Sequence, residues 1–194
     1  MPENKSANAA LAGLEKGGNK LSVAFAGKAF ETGQYIPRAG TCCHPDCHSP
    51  CPNLFHPGAQ SAPTLSLPNA NGTYLAVCLD MDAPFLSVPI LGPIAHWIQP
   101  DYKPDTTSTA DTLTCESGSH IIDYIGPAPP PGSGPHRYCF FLYEQPADFD
   151  ARKHRSVPEG QQVGVRKRMF YSLDAFERQA KLGPIVACNY FTSN

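Results

Sequence analysis

No stretch of this chain approaches the roughly 20 consecutive apolar residues that a bilayer-spanning helix needs, so no transmembrane segment is expected. Charge is also scarce: Asp, Glu, Lys and Arg make up 16% of the 194 residues, and the net charge is −2. That excludes a basic field for nucleic acid and an acidic tail. A P-loop, a dinucleotide fingerprint and a serine-hydrolase elbow are all missing. The polar first 20 residues lack the apolar core of a signal peptide. Few sizeable apolar side chains (Leu11, Leu14) precede Leu21, so residues 1–20 read as a frayed or loosely docked arm.

What is plentiful is proline and glycine, 21 and 16 residues. They make a loop-rich chain, hostile to long helices. The length fits a single domain, taken as 21–194. Eight cysteines suit an oxidising compartment. With two glycosylation sequons, at Asn4 and Asn71, they fit a secreted chain slightly better than a cytosolic one. Four of the cysteines crowd a Cys- and His-rich loop over 41–56. Disulfides are the first reading there, some of them to Cys78, Cys115, Cys139 or Cys188. Zinc ligation through Cys43, Cys47, His48 and Cys51 and free thiols are the alternatives. No metal or cofactor is assigned. Cys78 and Cys139 also fit as small buried apolar residues within strands.

The organising stretch is Gly134-Pro-His-Arg-Tyr-Cys-Phe-Phe-Leu-Tyr143. Its apolar run is short for a buried helix and aromatic enough for a buried strand. Alternation would put His136, Tyr138, Phe140 and Leu142 on one face, and Arg137, Cys139, Phe141 and Tyr143 on the other. Further strands are predicted at 21–25, 62–67, 73–79, 94–98 and 184–191. One helix is predicted from Ser172 as N-cap to Leu182, with a Leu173, Phe176, Ala180 stripe. Residues 101–119 read as a surface excursion. The basic residues between Ala147 and Arg168 read as a solvated face.

Two carboxylates, Asp80 and Asp82, follow a buried strand directly, and one is expected in a pocket and the other bonded to backbone. Pro84 is a candidate for a cis bond. His96 sits among apolar residues, as a core histidine bonded to a carbonyl or as a pocket residue. His136 and Tyr138, at the entry of the organising strand, are placed to line a polar-bottomed pocket.

Four blocks, Asp80-Met-Asp-Ala-Pro84, His96-Trp97, Asp123-Tyr-Ile-Gly-Pro-Ala-Pro-Pro and Gly134-Pro-His-Arg-Tyr138, recur in this order in the phosphatidylethanolamine-binding protein family. The chain resembles that family, in its fungal branch, over residues 60–191. The resemblance implies a mainly β fold, a Greek-key sandwich of a large antiparallel sheet on a smaller one with short peripheral helices. It also implies an anion-accepting pocket formed by Asp80, His96, His136 and Tyr138, with Asp82, Pro84, Tyr124 and Gly126 shaping its walls. Arg137 is expected to pair with Asp82. The implied function is binding of small anions or phospholipid head groups, with action on protein partners such as proteases or kinases. The alternative is an enzyme or accessory protein of a natural-product pathway. In it, His96, His136 and Asp80 would do acid–base chemistry on a carboxylate or anhydride. The sequence departs from the family pattern at Met81 and Phe85 and in the Cys-rich loop.

Overall fold

The computed structural model describes residues 4–37, 58–84, 92–107, 111–116 and 118–194. The elements in order are α1 (Lys5–Leu14), β1 (Ser22–Phe25), β2 (Lys28–Ala29), β3 (Thr64–Ser66), β4 (Tyr74–Asp80), β5 (Ile94–Pro104), β6 (Thr112–Thr114), β7 (His136–Glu144), α2 (Val165–Arg168), α3 (Leu173–Ala180) and β8 (Ile185–Ser193), with a 3₁₀ turn at Ala151–His154. The fold is mainly β, as expected.

All strand pairs in the ladder are antiparallel, in the order β2-β1-β3-β6-β5-β4-β7-β8. The sheet curls. β5 is the shared strand: its Ile94–Tyr102 part pairs with β4, and Lys103 and Pro104 pair with β6. Asp101, at φ 65°, sits at this corner. Curling brings β1 against β7 although they are not hydrogen-bonded neighbours: Phe25 and Phe140 rings meet edge-on at 6.5 Å. The outer edge of β8 is covered by irregular chain. Leu21 N–H donates to Cys188 O, Gly33 N–H to Tyr190 O and Ile36 N–H to Thr192 O. That satisfies an edge which would otherwise template pairing with another chain.

β7 is buried on both faces, which is why its sequence is apolar throughout. The expected alternation holds. Tyr138, Phe140 and Leu142 join the inner core with Phe25, Trp97 and Phe191. Cys139, Phe141 and Tyr143 join a second core capped by α1 and α3. Ser172 caps α3 by accepting from Ala175 N–H, and Leu173, Phe176 and Ala180 are its buried stripe.

Three expectations are corrected. The expected loose arm over 1–20 is not loose in its described part, because residues 5–14 form α1 with Ala7 and Leu11 buried against β8 and α3. Its docking is polar as well as apolar: Asp174 accepts from Lys5 N–H, Ser6 N–H and Ser6 O–H, and Asn4 Oδ1 accepts from Leu173 N–H. Residues 101–119 are not all excursion, since they hold the end of β5 and the whole of β6. Cys78, Cys139 and Cys188 are free thiols, so none of these three is a disulfide partner for the Cys-rich loop. That loop, with Cys43, Cys47, His48 and Cys51, lies outside the described residues. Among the described residues no cluster of three metal-ligating side chains occurs.

Candidate functional site

The site forms where β4, β5, β7 and β8 end together. Asp80 closes β4 and pairs in register with Tyr138. Opposite residues of neighbouring strands face the same side, so the Asp80 carboxylate, the Tyr138 ring and the His136 imidazole share the inner face. His136 Nδ1 lies 2.8 Å from Asp80 Oδ2. Asp80 Oδ1 accepts from Asp82 N–H at 2.9 Å, which closes the turn after the strand.

His96 joins them through a β-bulge. Cys78 pairs with Trp97 while Leu79 pairs with Ala95, so one residue of β5, His96, is extra. Two consecutive side chains, His96 and Trp97, then face inward, which strict alternation forbids. The His96 ring meets Tyr138 edge-on at 5.0 Å. Its Nδ1 lies 2.9 Å from Ile125 O, which is the carbonyl-bonded reading of His96, while the ring also touches Tyr138.

The bulge is held from behind by a buried ion pair. Arg168 donates through Nε to Val163 O (2.8 Å), through Nη1 to Asp123 O (2.7 Å), and through Nη2 to Asp123 Oδ1. Nη1 also lies 3.4 Å from the carbonyls of Ala95 and His96. Arg168 is 1% exposed. The expectation that it belongs to a solvated basic face is therefore wrong for this residue: a guanidinium satisfies several carbonyls at once, and only a buried bulge and loop offer that many. Composition gave no signal for this, since Arg168 sits in an Arg- and Lys-rich run.

The remaining expected residues shape the surroundings. Both Asp82 oxygens are taken by Arg137, through Nε (2.9 Å), Nη2 (2.8 Å) and the backbone N–H (2.8 Å). Asp82 is thus a structural partner of Arg137, as expected of Arg137. The Ala83–Pro84 and Gly92–Pro93 bonds are cis. Gly92 packs so tightly on Ala83 that an added Cβ would lie 2.7 Å from the Ala83 carbonyl oxygen. Tyr124 donates its hydroxyl to Ala59 O at 2.7 Å and packs edge-on against Trp97. An added Cβ at Gly126 would lie 2.7 Å from Ala59 O, so only glycine lets that segment approach.

The electrostatics divide the two histidines. Burial opposes charge on His136, but the hydrogen bond and charge of Asp80, helped by Asp82 and the Pro84 carbonyl, win and raise its pKa. His96 goes the other way: burial dominates over Asp80, and its pKa is lowered. With Nδ1–H assigned as donor to Ile125 O, neutral His96 keeps its Nε2 lone pair as an acceptor. Burial, reinforced by Asp80, raises the Tyr138 pKa, so the phenol stays a donor.

Buried polar atoms are nearly always paired. Among the described residues three buried side-chain atoms make no hydrogen bond of good geometry, His136 Nε2, Tyr138 OH and Ser193 Oγ, although the Pro84 carbonyl faces the His136 ring and Ala128 N–H faces the Tyr138 hydroxyl more loosely. The cluster itself is deeply placed, with His136 0%, Tyr138 1%, Asp80 3% and His96 5% exposed.

The family model described as phosphatidylethanolamine-binding protein matches residues 26–187. Carboxypeptidase Y inhibitor of Saccharomyces cerevisiae is 31% identical over 103 residues, covering 48% of this chain and 47% of that protein. Phomoidride biosynthesis cluster protein N of a fungal species is 31% identical over 140 residues, 69% of this chain and 60% of that protein. The chain thus spans about half to three-fifths of the length of these relatives. Among solved structures, carboxypeptidase Y inhibitor complexed with its cognate proteinase superposes with a TM-score of 0.61 at 22% identity, over 97% of this chain and 96% of that one. A phosphatidylethanolamine-binding protein from Plasmodium vivax gives 0.60 at 16%, over 90% and 84%. At such identities these superpositions establish the fold alone. With the family model matching most of its length, this chain belongs to the phosphatidylethanolamine-binding protein family.

Proposed function

We propose that the chain binds a small tetrahedral anion, a phosphate or phosphorylated head group, between His136, Tyr138 and His96. The supporting observation is the Asp80–His136 pair, whose Nε2, like the Tyr138 hydroxyl beside it, makes no hydrogen bond of good geometry. Asp80 holds Nδ1 and favours the imidazolium, so Nε2–H donates to an anionic oxygen. Tyr138 donates a second bond. Hydrogen bonds to charged groups are the strong ones, and Asp80 itself is neutralised by its partner. His96 Nε2 is an acceptor, which suits a ligand that carries one P–O–H as well as its negative oxygens. The cluster is buried, so the ligand would be held largely out of water.

The test is calorimetry at pH 6.5 with inorganic phosphate and sulfate. Phosphate is expected to bind about tenfold more tightly, the worth of one hydrogen bond, because sulfate has no proton to give His96. Equal affinity for both ions would remove His96 from the contact set. Phosphate binding that survives Tyr138→Phe and His136→Ala unchanged would remove the site. Phosphoethanolamine against glycerophosphoethanolamine separates free monoesters from diester lipid head groups, since the diester has no P–O–H.

A second reading has its own support. A carboxylate-held imidazole whose Nε2 makes no hydrogen bond of good geometry is equipped for proton transfer. A relative named for a phomoidride biosynthesis cluster supports a place in natural-product biosynthesis, and acid–base work on a carboxylate or anhydride is the activity to test. Turnover of such substrates, lost in both His96→Ala and His136→Ala, would establish it. Similarity to carboxypeptidase Y inhibitor supports a protease as protein partner. Titrating this chain into a serine carboxypeptidase assay checks that directly.

A further inference from the structure

We infer that Ser193 is a fourth ligand-contacting residue of this site, an extension that rests on the anion-binding reading above. Ser193 is the last residue of β8 and lies directly across the ladder from His136. The next inward pair along the same two strands is Tyr138 and Phe191, whose rings stack at 5.2 Å. That stack shows which way this register faces, so the Ser193 hydroxyl lies on the side of the sheet that carries His136 and Tyr138. Ser193 is fully buried.

A hydroxyl is easily satisfied, because it rotates freely and both donates and accepts. A buried serine with no partner is therefore an unusual expense for a fold to carry. Here the buried side-chain atoms of the described residues without a hydrogen bond of good geometry number three, and they fall on one inward face at one end of two adjacent strands. Unrelated packing faults would be scattered. A shared absent partner leaves them together. A tetrahedral anion offers several acceptor oxygens, and a serine hydroxyl is a donor suited to one not used by His136 or Tyr138.

Substitution separates this role from a structural one. Ser193→Ala removes an unpaired buried hydroxyl, so without ligand the variant should melt no lower than the wild type, or slightly higher. Its affinity for inorganic phosphate should fall about tenfold, the loss of one hydrogen bond to a charged group. Ser193→Cys, which keeps the volume with a weaker donor, should fall between the two and serves if the alanine variant folds poorly. Phosphate affinity unchanged in Ser193→Ala, while Tyr138→Phe loses it, would overturn the role of Ser193 and leave the anion site standing. No phosphate binding by the wild type would overturn both.

Discussion

Asp80→Ala is expected to be the most damaging single change at the site, in both stability and anion affinity. It removes the partner of a buried imidazolium and the acceptor that closes the turn at Asp82. Breaking a buried pair from one side costs about 3–5 kcal/mol, less where the orphaned group can shed its charge. His136 can do so, which gives the effect a pH dependence. Its folded-state pKa is raised above the ordinary 6.5, so the stability it supplies is fully present below that value. That contribution is lost as pH rises through the higher folded-state pKa. The stability gap between wild type and Asp80→Ala, read from urea unfolding, should therefore be widest near pH 6 and narrow towards pH 9. Sulfate affinity of the wild type should fall over the same interval, because neutral His136 bonded through Nδ1–H no longer offers a donor at Nε2. Sulfate does not titrate in this range, so the change reports the protein. A gap that widens with pH would contradict the assigned pair.

Arg168→Met is expected to cost a similar amount, about 3–5 kcal/mol, for a different reason. The Asp123 carboxylate would keep only the Val163 N–H among its bonds, and the carbonyls of Val163 and Asp123 would lose the guanidinium as donor. Combining it with Asp123→Asn should recover part of the loss, since the stranded charge is then gone. Arg168 also reaches the His96 carbonyl, at 3.4 Å beside the Ile125 N–H bond, so phosphate affinity should drop as well in any variant that still folds. A loss under about 1 kcal/mol by urea unfolding would show that the pair is as dispensable as a surface ion pair.

These two predictions also mark what could and could not be seen in the sequence. The organising strand β7 was legible because a strand buried on both faces is apolar at every position, and its alternation assigns each side chain to one of two cores. Helix α3 was legible because its cap, stripe and stop are local. Asp80 could be placed with His136 and Tyr138 only through the family resemblance of their motif blocks; the β4–β7 register that joins them appears in the structure. The bulge at His96 could not be read, because an extra residue appears only when two strands are aligned. Arg168 was misread for a related reason: its partners are carbonyls, which leave no trace in composition. Helix α1 was taken for a loose arm because its N-terminus is fastened by Asp174, about 170 residues away in sequence. Ser193 is one hydroxyl among several near the end of β8, and only register makes it a neighbour of His136.

The most direct test is an NMR titration that follows the imidazole nitrogens of His136 as inorganic phosphate is added near pH 6.5. The anion site predicts a large, saturable shift at Nε2, with Nδ1 still bonded to Asp80 and the Tyr138 ring signals moving at the same phosphate concentration. Imidazole signals that stay fixed while phosphate perturbs only exposed lysines and arginines would contradict it.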